Sequence, residues 1–312
     1  MRLERAIPSQ RSRRSDRKRV LTIGAFDGLH LGHQEIVRRT AAIADASDAR
    51  LAVLSFEPTP AEFFARGTPP ARLTCFRERY ELLARMGVDE LYCPHFRQVN
   101  VLDHERFAKD VLVAALQAKH VVVGHDFRYG TGRAGTAATL GEAGAALGFG
   151  VTVVDAVYLD GERVSSTRIR SALQTGDLAM AGRLLGRDYS MSGRVVHGRG
   201  LGRDLGIPTA NVNLKRRRAP VDGVFAVQVD GLGDAPRDGV ASVGNRPTIG
   251  GGETLLEVHL FDFDELIYGS YITVRFKARL RAEENFESIE ALKLQMHADV
   301  AAAKAALRGR IA

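Results

Sequence analysis

Between Val20 and His33 the chain has little choice of local fold. Val20 to Ile23 is a short apolar run of the kind that forms a buried strand. It leads into Gly24-Ala25-Phe26-Asp27-Gly28-Leu29-His30-Leu31-Gly32-His33, after which a helical pattern runs from His33 to Ala46. Glycines at 24, 28 and 32 let the backbone come close to a ligand. A strand, a glycine-rich turn and a helix N-terminus make an anion site, because free N–H groups and the helix dipole favour phosphate. His30 and His33 add donors to the same small space. The P-loop is excluded, since no Gly-Lys-Ser/Thr follows, and so is the dinucleotide pattern G-x-G-x-x-G. At this level the histidines are either phosphate ligands or solvent-facing residues beside a tight turn.

The first half alternates strands and helices. Expected strands are Val20–Ile23, Leu51–Phe56, Glu90–Cys93, His120–Val123 and Val151–Val154; expected helices are His33–Ala46, Thr74–Met86, Asp103–Ala118 and Thr136–Leu147, with Asp103 as an N-cap. This order predicts a parallel sheet covered on both faces, with ligands beyond the carboxyl ends of the strands. Short helices follow near Ser166–Leu173 and Asp177–Leu185. From Tyr189 to Leu280 short β runs alternate with glycine- and proline-rich turns, which predicts a small antiparallel barrel or sandwich. Phe286, Ile289, Leu292, Met296, Val300, Ala303 and Leu307 form one apolar helical stripe, expected to pack on the core. The fold class is therefore α/β followed by mostly β.

A length of 312 residues suits two domains. The expected division is a basic, disordered tail at 1–18, a first domain at 19–186 and a second at 187–312. No apolar run approaches the roughly 20 residues needed to cross a membrane, and no apolar signal segment follows the basic start. A cytoplasmic protein without a membrane partner is expected. Cys75 and Cys93 are the only cysteines and form no C-x-x-C pair, which argues against a disulfide framework or a zinc site. The net charge of +7 suits polyphosphate ligands; no aromatic pattern accompanies the basic run, so nucleic acid is not expected.

Three further constellations carry chemistry. Gly124-His125-Asp126-Phe127-Arg128-Tyr129-Gly130 follows a buried strand; Asp126 and Arg128 either contact a nucleotide or form a surface ion pair. Ser165-Ser166-Thr167-Arg168-Ile169-Arg170 is either a helix cap or a polyphosphate clamp. In the second half, Gly198, Gly202, Arg203 and Gly206 belong to a glycine-rich loop suited to phosphates, followed by Pro208-Thr209-Ala210-Asn211. The oxygens of Thr209 and Asn211 are hard donors of the kind Mg²⁺ accepts. Glu257 sits on the strand face opposite Leu256 and Val258, as a general base or as a solvent-facing residue.

These motifs, in this order from Val20 to Ala303, resemble the prokaryotic bifunctional riboflavin kinase/FMN adenylyltransferase family. The likeness rests on GAFDGLHLGH, FEPTP, GHDFRYG, SSTRIR, GRGLGRDLGIPTANV, SVGNRPT, LEVHLFDFDELIYG and RAEENF. The resemblance implies a Rossmann-like nucleotidyltransferase domain followed by a six-stranded kinase barrel with a C-terminal helix. It also implies two reactions: ATP-dependent phosphorylation of riboflavin to FMN with release of ADP, then adenylylation of FMN to FAD with release of pyrophosphate. In that scheme Glu257 is the kinase base, and Thr209 and Asn211 hold Mg²⁺ on ATP. His30 and His33 act on the phosphates of the second ATP, within the loop of Gly24, Phe26, Asp27, Gly28 and Gly32. Asp126, Arg128, Ser166, Thr167 and Arg168 complete that site, Phe56 and Pro58 lie in the flavin neighbourhood, and no tightly bound prosthetic group is implied. The chain departs from the family at Thr59, where relatives carry histidine in the Phe-x-Pro-His-Pro motif. That change raises the alternative of a kinase with a weak or silent adenylyltransferase half.

Overall fold

The computed structural model describes residues 1–8, 18–198, 202, 205–216, 218–246 and 253–309. Its packing divides the chain into two units: Met1–Pro70 with Arg79–Ser165, and Ala71–Glu78 with Ser166–Ala312.

The first unit is built on a six-stranded parallel sheet. Its strands are β1 (Arg2–Glu4), β2 (Arg19–Ile23), β3 (Arg50–Leu54), β4 (Glu90–Tyr92), β5 (Ala118–Gly124) and β8 (Gly150–Val154), in the order β1-β4-β3-β2-β5-β8. Small hairpins β6 (Arg128–Tyr129)/β7 (Gly135–Thr136) and β9 (Tyr158–Leu159)/β10 (Glu162–Arg163) lie outside it. The helices are α1 (Leu31–Ala46), α2 (Pro60–Phe63), α3 (Phe76–Arg85), α4 (His104–Arg106, continuing in wider π-type turns over Phe107–Ala115) and α5 (Ala137–Leu147). Val121, Val122 and Val123 are fully buried, as expected for a strand covered on both faces. The strand order reverses between β2 and β5. In such sheets the crevice at the carboxyl ends of the two strands is where ligands bind. The loops that leave β2 and β5 are Gly24–His30 and Gly124–Phe127, so both glycine motifs open on that crevice. At the other end of the sheet Arg19 is buried against Glu90, which also accepts from the Tyr92 hydroxyl at 2.6 Å.

The expected tail at 1–18 does not hold for its first residues. Arg2–Glu4 pairs in parallel with Glu90–Tyr92 as an edge strand. Three residues with one apolar side chain carry no strand pattern, and edge pairing supplies what the sequence does not show. Residues 9–17 lie outside the described residues.

Besides residues 71–78, the second unit comprises α6 (Ser166–Thr175) and α7 (Leu178–Leu185). A closed antiparallel barrel follows, formed by β11 (Ser190–Val196), β12 (Ala210–Asn213), β13 (Gly223–Asp230), β14 (Arg237–Arg246), β15 (Glu253–Leu260) and β16 (Tyr271–Arg281), in the order β11-β12-β15-β14-β13-β16. Alternation fills it: Ile272, Val274 and Phe276 from β16 and Leu256 and Val258 from β15 are all nearly unexposed. α8 (Ile289–Arg308) packs on the outer face, with Val300, Ala303 and Leu307 against Val224, Ala226 and Val240. Only this C-terminal part of the expected apolar stripe is core. Phe286, Leu292 and Met296 line a cavity instead, and Ile289 is largely exposed.

One buried ion pair organises the second unit. Both oxygens of Glu78 accept from one guanidinium nitrogen of Arg216, at 2.6 and 2.7 Å, and the carboxylate also accepts the backbone N–H of Cys75 and of Ser192 at 2.6 Å each. Arg216 also donates to the Tyr189 hydroxyl at 3.2 Å. Residues 71–78 are thereby held to the barrel. Removing one partner leaves the other charge buried alone, at a cost of about 3–5 kcal/mol. Arg216→Met is expected to lower the stability of this unit by that order in a urea titration. Pairing it with Glu78→Gln should recover part of the loss; a single mutant with unchanged stability would contradict the role given to the pair.

Candidate active sites

The first site grows from the end of β2. The Gly24 N–H donates to the Leu54 carbonyl at 3.1 Å, after which the chain turns sharply. Phe26, Gly28 and Leu29 have φ of 52°, 81° and 41°. Only glycine takes this region without strain, so Phe26 and Leu29 must be held there by their surroundings. Both are buried, at 1% and 2% exposure. Gly24 and Gly32 leave room for the Phe26 and His30 rings, which a side chain at either position would crowd. Asp27 is also buried in this loop.

His30 is the N-cap of α1: its Nδ1 accepts the His33 N–H at 3.3 Å. An accepting Nδ1 leaves the proton of a neutral imidazole on Nε2. The His30 and His33 rings stack with centroids 3.7 Å apart, and Phe26 lies 5.2 Å from His33. His33 Nδ1 is buried without a hydrogen-bond partner among the described residues. Enclosure of the ring pushes the His33 pKa well below the usual 6.5, and the charges of His30 and Arg163 push it the same way. The helix start thus presents a neutral imidazole with an unused polar atom, a setting that gains from an anionic ligand.

The loop after β5 carries Asp126, whose carboxylate meets Arg163 at 2.5 Å. Burial opposes the charge on Asp126, but the Arg163 hydrogen bond and charge outweigh it and lower its pKa. Arg163 therefore acts on both Asp126 and His33, which joins the two loops electrostatically. Arg128 is exposed on β6. Ser166, Thr167 and Arg168 form the first turn of α6 in the second unit, where Arg168 lies 3.8 Å from the Met180 sulfur. Phe56 belongs to the core of the first unit, edge-on to Phe96 at 5.3 Å, and Pro58 follows a cis peptide bond.

Arg79 is missing from the sequence reading of this region, and Thr59 has a structural role that the reading does not give it. Arg79, 2% exposed, donates to the Ala25 carbonyl at 2.8 Å and to Glu57 at 3.0 Å, tying the loop after β2 to the FEPTP segment. A single arginine on an amphipathic helix gives no signal of this. Thr59 caps α2: its hydroxyl accepts the Glu62 N–H, and Glu62 reaches back to the Thr59 N–H at 2.9 Å. The Thr-x-x-Glu spacing of a capping box stands in the sequence and is the signal that finds it.

The second site lies on the outer face of the barrel. Register sets Asn211 of β12 opposite Glu257 of β15, and Glu257 opposite Ser242 of β14. Opposed residues share a face, so the three polar side chains stand in a row across adjacent strands, away from the buried Leu256 and Val258. They line a cavity of about 740 Å³ whose other wall includes Phe286 and Leu292. Arg281 clamps that wall by donating to both oxygens of Asp299 on α8 at 2.8 Å. Gly202 and Thr209 also line the cavity. A side chain at Gly198 would strike the Asn211 amide, and one at Gly202 would come within 3.0 Å of the Thr209 hydroxyl. The glycines thus keep space beside two oxygen donors. Gly206 turns with φ 79°, and Arg203 lies outside the described residues.

Comparison with known proteins matches both halves in order. A family model described as FAD synthetase covers residues 12–168, and one described as riboflavin kinase covers 185–307. The chain belongs to the bifunctional riboflavin kinase/FMN adenylyltransferase family. The member from Escherichia coli K12 is 44% identical over 281 residues, 90% of each chain. That from Pseudomonas fluorescens is 46% identical over 288 residues, 92% of each. A crystal structure from Streptococcus pneumoniae, described as a macrolide-efflux protein, is 33% identical with a TM-score of 0.81, covering 96% of this chain and 97% of its own. No helix among the described residues here is long and apolar enough to cross a membrane. The family's parallel-sheet half and barrel half are both present.

The state of His33 is directly measurable. The unfolded chain protonates this residue near the ordinary pKa of 6.5, whereas the folded loop resists it. Stability should therefore hold above that pH and fall progressively below it. NMR titration should show His33 neutral through the range in which an ordinary imidazole charges, and Arg163→Ala should raise its midpoint. A wild-type midpoint at or above 6.5 would contradict the enclosed neutral state.

Proposed function

We propose that this chain makes FMN and FAD in two separate sites. The observation that carries the reading is that relatives named for both activities match it across about nine-tenths of their length, with both halves in one chain. In the barrel, riboflavin enters the cavity with its ribityl 5′-hydroxyl toward Glu257. Glu257 takes the hydroxyl proton as the oxygen attacks the γ-phosphorus of ATP, and ADP leaves. The Thr209 hydroxyl and the Asn211 carbonyl oxygen, with space kept beside them by Gly198 and Gly202, are fitted to hold Mg²⁺ on the ATP phosphates. When bound, Mg²⁺ neutralises charge on those phosphates.

In the first unit, a phosphate oxygen of FMN attacks the α-phosphorus of a second ATP, and pyrophosphate leaves. His30 and His33, at the N-terminus of α1, donate to the phosphates as negative charge shifts onto the leaving group. Asp126 orients nucleotide. No covalent intermediate is needed, because positioning and charge stabilisation carry such transfers. The Thr59 departure does not favour a silent half: Thr59 is built into the cap of α2 and the two histidines are in place. Use of ATP in both steps and the absence of a membrane-spanning helix among the described residues support a cytoplasmic enzyme.

The two sites separate by mutation. Glu257→Ala should abolish FMN formation and leave FAD formation from supplied FMN intact. His33→Ala should do the reverse, with a loss of roughly 100-fold or more in FAD formation. Product analysis by chromatography checks both. Loss of both reactions in either folded variant would contradict the two-site assignment.

A further inference from the structure

The cavity holds a second carboxylate that the two reactions above leave without a task. Glu283 follows β16 and lines the same space as Glu257. Its Oε1 accepts from the Ser242 hydroxyl at 3.3 Å, and Ser242 is the residue directly opposite Glu257 in the sheet. Gly244, two residues further along β14, leaves the space in which this carboxylate lies: a side chain there would strike both Glu283 oxygens. Glu283 is thus seated beside the proposed base by a hydroxyl on one residue and the missing side chain of another.

A carboxylate can accept about four hydrogen bonds. Glu283 receives one from the described residues, a serine hydroxyl at long range. The charges around it do not satisfy it. Glu257 and Asp222 are negative, and the nearby Arg281 donates to both oxygens of Asp299 at 2.8 Å and to the Ala282 carbonyl at 2.9 Å. Partial desolvation, together with those like charges, raises its pKa above the ordinary value. Such a group gains most from a ligand that brings hydroxyl donors. The substrate proposed for this cavity carries a polyol chain with several hydroxyls, of which the base engages one.

We infer that Glu283 binds the polyol chain of the flavin, accepting a hydrogen bond from a secondary hydroxyl and holding the terminal hydroxyl against Glu257. The inference rests on the kinase reading of the cavity. It makes Glu283 a determinant of specificity, because a carboxylate placed for a hydroxyl discriminates against a side chain that lacks it.

The test is steady-state FMN formation by the full chain, using Glu283→Gln, Glu283→Ala and, separately, Glu257→Gln. The Glu283 variants should raise KM for riboflavin by about 10- to 100-fold while KM for ATP changes by less than about twofold. Flavin analogues lacking one secondary side-chain hydroxyl supply the second readout. One of them should be a much poorer substrate than riboflavin for the wild type, and nearly equal to riboflavin for Glu283→Ala. Ser242→Ala, which keeps Glu283 but removes its seat, should shift KM for riboflavin in the same direction by less. Thermal melts and Mg–ADP binding establish that each variant is folded.

An unchanged KM for riboflavin, an equal rise in KM for ATP, or an undiminished penalty for every analogue in Glu283→Ala would overturn the inference while leaving the kinase reading intact. Full FMN formation by Glu257→Gln would overturn the reading of the cavity, and the Glu283 inference with it.

Discussion

The guanidinium of Arg79 is almost wholly buried, and a buried cation without partners would cost the first unit several kcal/mol. Its partners are the Ala25 carbonyl and the Glu57 carboxylate. These belong to the loops that leave β2 and β3, two neighbouring parallel strands, so one side chain ties both loops together at the carboxyl end of the sheet. The loop after β2 needs such a restraint. It holds Phe26 and Leu29 in left-handed conformations that cost of the order of 1–3 kcal/mol each, which persist only where packing over-determines them. That conformation brings His30 to the cap of α1 and stacks it on His33. The anion site proposed at the helix start follows from it.

The barrel reaches its site by a different constraint. A closed antiparallel barrel has room inside for alternate residues only, so Leu256 and Val258 turn inward and Glu257 must turn out. Antiparallel register then sets Asn211, Glu257 and Ser242 in one row on the outer face. Such a row would ordinarily meet water. Here α8, clamped through Asp299 to Arg281, and the segment around Phe286 wall off a cavity above it. Where the first unit offers a ligand the ends of strands and a helix dipole, the second offers it the side of a sheet. In the proposed function, two chemistries that handle the same nucleotide are thus carried by unrelated surfaces.

Much of this was legible in the sequence, for reasons that can be named. Val20–Ile23 and Val121–Val123 are apolar runs bounded by glycine, and a sheet buried on both faces demands such runs. The facing of Glu257 followed from strict alternation in Leu-Leu-Glu-Val-His-Leu. The helix start at His30 came within a few residues of its true position, because glycines and histidines interrupt the apolar pattern there. What stayed hidden depends on partners distant in the chain. β1 has one apolar residue and exists by pairing with Glu90–Tyr92. β12 is four residues with two asparagines, and its strand character comes from its neighbours β11 and β15. The tasks of Arg79, Arg163 and Glu283 are set by the groups they meet, which no local spacing records. The apolar stripe of α8 looked uniform, yet only its last turns touch the core; helical periodicity reports which face is apolar and not what covers it.

The most direct measurement is product chromatography on the purified chain incubated with riboflavin, ATP and Mg²⁺, beside a second tube in which FMN replaces riboflavin. FMN and FAD from the first tube, and FAD from the second, are the expected result. FMN alone in the first tube with an unchanged second tube would contradict the claim that both sites act, and would direct attention to Thr59. Neither product in either tube would contradict the assignment of both.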